Sequence, residues 1–135
     1  MSELQRIMLV EDDPDIAVLA GIALQDFGGF EFRHFSSGSE ALANVADFAP
    51  DLVILDYRMP EMNGGEVLAA LRASEAGRLI PVMFMTASLM PRHVEALIEA
   101  GAIAVLPKPF DPLTLADEVT KAWQRGKGTS AGIAG

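Results

Sequence analysis

The stretch "DLVILD", residues 51–56, is a run of four apolar residues that ends in an acid. An unbroken apolar run of this length is typical of a strand covered on both faces, as strands of parallel sheets are. Similar runs recur along the chain, each followed by a longer amphipathic segment. The alternation predicts five β-α units around a parallel sheet. The candidate strands are "RIMLV" (6–10), "FEFRHF" (30–35), "DLVILD" (51–56), "IPVMFMT" (80–86) and "AIAVLP" (102–107).

Local signals mark the ends of several helices. An Asp-Pro pair at 13–14, and again at 111–112, predicts an N-cap followed by proline in the first turn of a helix. Gly101 stands where the fourth helix should end. The run "FEFRHF" mixes apolar and polar residues, which favours an edge strand with one partly wet face. Gly64 and Gly65 after "MPEMN" are interpreted as a turn before a helix.

Length and composition indicate one folded domain of an ordinary globular kind. The 135 residues are 50% apolar and 21% charged, with no cysteine and a net charge of -9. The negative charge argues against direct nucleic-acid binding. Because no apolar run reaches the length of a membrane span and the N-terminus does not resemble a signal peptide, we expect a cytoplasmic protein with no membrane contact. We expect the domain to cover residues 1–125, and "GKGTSAGIAG" (126–135) to be a flexible tail or linker.

Polar side chains follow four of the predicted strands. Glu11 and Asp12 come after the first, Asp56 ends the third, Thr86 ends the fourth and Lys108 follows the fifth. In open parallel sheets ligands bind outside the carboxyl ends of the strands. Carboxylates that meet there raise one another's pKa unless a cation neutralises them. Carboxylate oxygens and a small number of ligands suit Mg²⁺, which would turn the acidic cluster into a site for phosphate.

With such a cation bound, Asp56 can act as a nucleophile toward phosphorus, with Lys108 and Thr86 contacting the phosphoryl oxygens. Each residue taken alone has a simpler interpretation. The acids of "EDDP" are common in a solvated loop that caps a helix, Asp56 is as well suited to capping a turn, and threonine is frequent in strands. The occurrence of all of them at the ends of four strands is far more specific.

Four motifs, "LVEDDP", "LVILDYRMPEMNG", "PVMFMTA" and "LPKPF", resemble in order and spacing the receiver domain of two-component response regulators. The resemblance covers residues 5–125. It implies a flavodoxin-like (βα)5 fold, with a five-stranded parallel sheet of order 2-1-3-4-5 and helices on both faces. It also implies that Asp56 is the phosphoacceptor, that Thr86 binds a phosphoryl oxygen and that Lys108 pairs with the phosphoryl group. The peptide bond before Pro109 is expected to be cis.

The same resemblance implies a Mg²⁺ site. Asp12 and Asp56 would be direct ligands, the backbone carbonyl of Arg58 a further ligand, and Glu11 a support acting through water. The donor would be a sensor histidine kinase or a histidine phosphotransfer protein. The domain would catalyse only its own phosphorylation and dephosphorylation, and would be a monomer or a phosphorylation-dependent dimer.

Phosphorylation in this family repacks the face made by the fourth helix, fifth strand and fifth helix. The family usually places Tyr or Phe three residues before the lysine, where this chain has Val105. A valine lacks the ring that would follow the threonine's movement, so we expect a smaller output change or one carried by the backbone. We expect both His34 and His93 to be surface residues that are neither phosphodonors nor ligands.

The sequence supports three alternatives to the receiver less well. An interaction module that no longer uses phosphate would be favoured if Asp12, Asp56 or Lys108 were replaced, and none is. A flavodoxin-type cofactor carrier needs an anion cradle where "EDDP" would repel phosphate. A phosphatase with an aspartate nucleophile normally carries a DxD motif after the first strand. The downstream target is not evident, and both a stand-alone regulator and a receiver of a longer chain stay open.

Overall fold

The computed structural model describes the backbone of residues 3–134 and the side chains of residues 3–126. It forms one parallel sheet of five strands in the order β2-β1-β3-β4-β5. The predicted flavodoxin-like (βα)5 fold and the order 2-1-3-4-5 are therefore confirmed. The strands are β1 (Arg6–Val10), β2 (Glu31–Phe35), β3 (Leu52–Asp56), β4 (Val82–Thr86) and β5 (Ala104–Pro107).

Helices connect the strands and cover both faces of the sheet. They are α1 (Pro14–Gly21), α2 (Gly38–Phe48), α3 (Gly64–Ala73), α4 (Pro91–Glu99) and α5 (Leu115–Ala134). After α1 the chain continues directly into a π-helical segment (Ile22–Phe27), which the sequence did not predict. None of the helices in residues 3–134 combines the length and the apolar character that crossing a bilayer requires.

The core has two layers because side chains alternate along each strand. Ile7 and Leu9 of β1 face one apolar cluster, which includes residues of α1 and α5, whereas Met8 and Val10 face the other, formed with α2, α3 and α4. Every residue of β3 and of β4 is buried, as the apolar runs predicted. β2 lies at one edge of the sheet and remains partly exposed, which confirms its assignment as an edge strand.

The predicted helix ends are partly confirmed. The Asp13 carboxylate accepts hydrogen bonds from the backbone N–H groups of Asp15 (2.9 Å) and Ile16 (3.4 Å), so it caps α1. Asp111 instead accepts from Leu113 N–H (2.9 Å) and caps a turn that precedes α5, so the last helix begins later than predicted. Gly101 follows α4 with a φ of 119°, a conformation that favours glycine.

The C-terminal segment extends the last helix. α5 is helical through Ala134, and the expectation that residues 126–135 are a flexible tail or linker stays a prediction. The segment contains no proline, so nothing in it interrupts the helical hydrogen bonding. Gly126 suits this path, since a Cβ there would lie 3.0 Å from Ile103 side-chain atoms. The limit of the domain at residue 125 stays a prediction.

The connection between β3 and α3 turns sharply and brings α3 against the end of β3. Gly64 N–H donates to the Tyr57 carbonyl (2.8 Å), and a Cβ at position 64 would lie 2.7 Å from the Asp56 carbonyl oxygen and 2.9 Å from the Phe84 ring. Asn63 and Glu66 then close a capping box on α3. The predicted turn is confirmed, and only a glycine fits its tightest point.

We expect Gly64→Ala to lower the free energy of unfolding by about 1–3 kcal/mol, because its methyl group must displace backbone and the Phe84 ring. Gly65→Ala is the matched control, since its Cβ would approach no heavy atom closer than 3.3 Å. Its stability should stay within about 1 kcal/mol of wild type. Urea unfolding of both variants measures the difference, and equal midpoints would contradict the steric explanation.

Candidate functional site

The carboxyl ends of four strands meet at one edge of the sheet and bring the predicted polar residues together. Glu11 and Asp12 directly follow β1, Asp56 is the last residue of β3, and Thr86 is the last residue of β4. Lys108 follows β5, and its backbone N–H donates to the Thr86 carbonyl (2.9 Å). The arrangement arises because parallel strands deliver their ends to the same side.

Lys108 contacts two of the acids at once. Its Nζ lies 3.0 Å from Glu11 Oε1 and 3.1 Å from Asp56 Oδ1, and it donates a hydrogen bond to each. The Glu11 side chain is fully buried, and that of Asp56 is 5% exposed. One ammonium therefore bonds to two carboxylates that water cannot reach freely.

Local contacts fix the orientation of Glu11. Its backbone N–H donates to the Phe35 carbonyl (3.0 Å), and its Oε2 accepts from Asp13 N–H (3.1 Å). The Nε2 atom of His34, on β2, lies 2.7 Å from the Glu11 carbonyl oxygen. His34 is half-buried, so its expected position on the surface is only partly confirmed. The segment that carries both acids is held from β2 and by the cap of α1.

Burial dominates the electrostatics of this cluster. It raises the pKa of Glu11 to about 7, against the opposing effects of the Asp13 N–H and Lys108. Burial also raises the pKa of the Asp56 carboxyl, although Lys108 offsets part of the effect. Burial lowers the pKa of Lys108, but the hydrogen bonds to Glu11 and Asp56 outweigh it and the net shift is upward. The negative charge of the carboxylates at this site therefore exceeds the positive charge of Lys108.

A divalent cation fits this donor set. The carboxylate oxygens of Glu11, Asp12 and Asp56 include atoms that all lie within 4.8 Å of one another. Asp12 is exposed and the other two are buried, so the cluster opens to solvent on the side of Asp12. Hard oxygen ligands with access to water suit Mg²⁺. The part assigned to the Arg58 carbonyl stays a prediction.

A cavity of about 380 Å³ adjoins the cluster. Its lining comprises Asp56, Arg58, Thr86, Ala87, Ser88 and Lys108. The Thr86 hydroxyl accepts a hydrogen bond from Ser88 N–H (3.2 Å). Thr86 as a whole is 5% exposed. The cavity thus places two groups that can donate to a small anion, the Lys108 ammonium and the Thr86 hydroxyl, beside the Asp56 carboxylate.

His93 belongs to the surroundings of this cavity, which the sequence interpretation missed. Its Nε2 lies 3.2 Å from Thr86 Oγ1, and its ring meets the Tyr57 ring edge-on at 4.9 Å. His93 is half-buried, so its expected position on the surface is only partly confirmed. The available signal was its position four residues before Leu97, which is the buried residue of α4 and shares its helical face.

Comparison with known proteins agrees with the geometry. The sequence pattern described as "Response regulator receiver domain" matches residues 7–120. The chain belongs to this family. It is thus a receiver domain of two-component signalling.

The relatives show both the likeness and its extent. The DNA-binding response regulator MtrA of Mycolicibacterium smegmatis is 37% identical over 123 residues, which are 91% of this chain and 52% of that protein. The regulatory protein AtoC of Escherichia coli is 37% identical over 114 residues, 82% of this chain and 23% of that protein. The chain therefore spans about half the length of MtrA and less than a quarter of the length of AtoC.

A solved structure supports the fold. The chemotaxis protein CheY4 of Vibrio cholerae superposes with a TM-score of 0.81 at 29% identity, covering 88% of this chain and 98% of that one. The signal receiver domain of a histidine kinase from Syntrophus aciditrophicus gives a TM-score of 0.76 at 32% identity, covering 90% and 91%. The receiver fold is thus shared along nearly the full length of each structure.

The raised pKa of Glu11 predicts a pH dependence in chelator-treated protein. Because the folded pKa lies above the ordinary value, the folded state binds more protons than the unfolded one between pH 4.5 and about 7. The free energy of unfolding should fall across that window as pH rises, by an amount on the order of 3 kcal/mol. Glu11→Gln should reduce this fall, and the part that comes from the raised pKa of Asp56 should remain.

Urea unfolding at several pH values in the presence of EDTA measures the effect. Glu99→Gln, at an exposed position of α4, is the control and should keep the wild-type slope. A wild-type curve that rises between pH 4.5 and 7, or a Glu11→Gln curve parallel to wild type, would contradict the assignment.

Proposed function

We propose that this receiver domain takes a phosphoryl group onto Asp56 from a phosphohistidine and thereby acts as a switch. The observation that carries the proposal is the bridge from Lys108 to Glu11 and Asp56 beside an open cavity. It holds the nucleophile at the cavity wall and places a positive charge where phosphoryl oxygens would collect. Phosphoryl transfer asks a protein mainly for such positioning and charge neutralisation.

Each side chain has a part in the proposed step. An Asp56 carboxylate oxygen forms the new bond to phosphorus while the bond from phosphorus to the donor nitrogen breaks. Lys108 moves its hydrogen bonds to a phosphoryl oxygen, and the Thr86 hydroxyl donates to another. The domain would catalyse this transfer and the later hydrolysis itself, without other enzymatic activity.

Asp12, Asp56, the Arg58 carbonyl and Glu11, the last through water, are the proposed Mg²⁺ site. The support is the cluster of three carboxylates and the chemistry of its oxygen donors. When bound, Mg²⁺ supplies positive charge that offsets the repulsion between carboxylates and phosphoryl oxygens. The protein's own contribution is to hold the carboxylates together at the strand ends before any ligand arrives.

The proposed partners follow from the chemistry of the site. The donor is a sensor histidine kinase or a histidine phosphotransfer protein, and the target is an unidentified protein that contacts the face of α4, β5 and α5. Support comes from the family and from relatives that are response regulators. We propose that the domain is cytoplasmic, does not itself bind nucleic acid or membranes, and is a monomer or a phosphorylation-dependent dimer.

Incubation with Mg²⁺ and acetyl phosphate should add the mass of one phosphoryl group to the wild type and none to Asp56→Asn. Intact-mass spectrometry measures the product, and hydroxylamine should remove it because acyl phosphates are labile to that nucleophile. Asp51→Asn would disturb the other end of β3, where Asp51 accepts from Gln5 and Arg6, and is therefore a poor control.

Asp13→Asn is the better control because it retains an N-cap beside the same acids. It should be phosphorylated as wild type is. Modification of Asp56→Asn at the wild-type level would overturn the assignment of the phosphoacceptor. If the folded wild type neither binds Mg²⁺ nor takes up phosphate, the interaction module becomes the better interpretation.

Asp12→Asn should weaken Mg²⁺ binding by more than about tenfold and abolish Mg²⁺-dependent phosphorylation, because it removes the exposed charge of the cluster. Since Asp12 is exposed, the variant should fold as wild type does. Calorimetric titration with MgCl₂ and far-UV circular dichroism measure the two properties. Unchanged Mg²⁺ affinity would remove Asp12 from the proposed site.

A further inference from the structure

We propose that His93 is a positioning residue that accepts the hydroxyl proton of Thr86 and links the occupancy of the Asp56 cavity to α4. The inference rests on the proposed function of that cavity. It starts from two contacts of one half-buried ring. Nε2 lies 3.2 Å from Thr86 Oγ1, and the ring packs edge-on against Tyr57, the residue that follows Asp56.

The Thr86 hydroxyl has only one proton to give. Its oxygen already accepts from Ser88 N–H. In the tautomer of His93 that carries its proton on Nδ1, Nε2 is an acceptor, and the hydroxyl proton of Thr86 can then point either to Nε2 or into the cavity. An anion on Asp56 needs that proton, because phosphoryl oxygens are acceptors. Binding of the anion and the contact with His93 therefore compete.

The start of α4 has few other contacts that could hold it, so the hydrogen bond between His93 and Thr86 matters for its position. Its N-cap is Met90, whose side chain makes no capping hydrogen bond, and α4 buries only Leu97 among its nine residues. Leu89 and Met90, just before the helix, are 53% and 68% exposed. Among the described side chains of the first turn, His93 makes the hydrogen bond that ties α4 to the site.

Because Val105 stands where the family usually has an aromatic residue, the ring of His93 is the aromatic group that can respond to Thr86. Val105 pairs with Phe84 in the sheet and carries no aromatic ring or polar atom that could follow the hydroxyl. His93 has both, and it touches the residues at the ends of two strands, Tyr57 after β3 and Thr86 on β4. Loss of its hydrogen bond would free α4 to change its packing, which is how a local contact biases a larger surface.

Beryllofluoride with Mg²⁺ serves as the probe, and two variants separate the two contacts. His93→Phe keeps a ring against Tyr57 but has no acceptor for Thr86, whereas His93→Gln keeps a polar end group and loses the ring. Arg92→Ala, at the exposed neighbouring position, is the matched control. Amide chemical shifts report separately on residues 52–58, at the site, and on residues 91–99, on α4.

In wild type and Arg92→Ala, both regions should shift on binding. In His93→Phe, the shifts of residues 52–58 should persist and those of residues 91–99 should fall below half of their wild-type size. Its affinity for the probe should rise about two- to tenfold, the factor set by one net hydrogen bond that no longer competes. His93→Gln should retain more of the α4 response than His93→Phe.

Histidine labelled with ¹⁵N gives a readout that needs no substitution. The His93 Nε2 signal should move when beryllofluoride is added to the Mg²⁺-loaded protein, and the Mg²⁺-only spectrum sets the baseline. A wild-type α4 response in His93→Phe, an unchanged or lower affinity, or a stationary His93 signal while residues 52–58 respond would overturn the proposal. Absence of any response at residues 52–58 in wild type would instead contradict the proposed function.

Discussion

The ion pairs of Lys108 with Glu11 and Asp56 organise the functional edge of this protein. They join residues that lie 97 and 52 positions apart in sequence and that follow or end three different strands. Burying carboxylates is costly unless a cation and hydrogen bonds compensate them, so removal of one partner leaves an unpaired charge in a dry site. The sheet brings the charges together, and the lysine makes their proximity tolerable. The affinity of the site for an anion depends on this balance between the charge of Lys108 and the charges of Glu11 and Asp56.

The balance also explains why a receiver can respond to a small chemical change. A phosphoryl group on Asp56 would add charge beside Lys108 and create new acceptors for Lys108 and Thr86. Lys108 uses two of its three donors and could add a phosphoryl oxygen as a third partner, whereas Thr86 has a single proton. A phosphoryl oxygen that takes this proton would therefore replace the hydrogen bond from Thr86 to His93. Because protein interiors are closely packed, such exchanges tend to occur between discrete arrangements.

Much of this organisation was predictable from sequence for simple physical reasons. β3 and β4 are apolar throughout because helices cover both faces, so their runs were visible, and parallel strands had to deliver Asp56 and Thr86 to one edge. The π-helical segment after α1 was not predictable, since no residue type in it marks a change of helical pitch. The spacing from His93 to Leu97 could have placed His93 on the inward face of α4, but its contacts with Thr86 and Tyr57 depend on how α4 packs, which the sequence does not reveal. The roles of the site residues and the length of the domain stay predictions.

The shallow packing of α4 has an evolutionary consequence. Its outward residues, such as Arg92, Glu95 and Ile98, contribute little to the apolar core, so replacing them costs little stability. The reacting groups sit on strand ends whose surroundings tolerate almost no change. Substitutions can therefore change the proposed target-binding surface while the residues at the strand ends stay the same. The proposed phosphoryl chemistry lies at the rigid strand ends, and the proposed partner binding lies on a weakly anchored helix. This separation would let the fold acquire new partners without changes at the phosphorylation site.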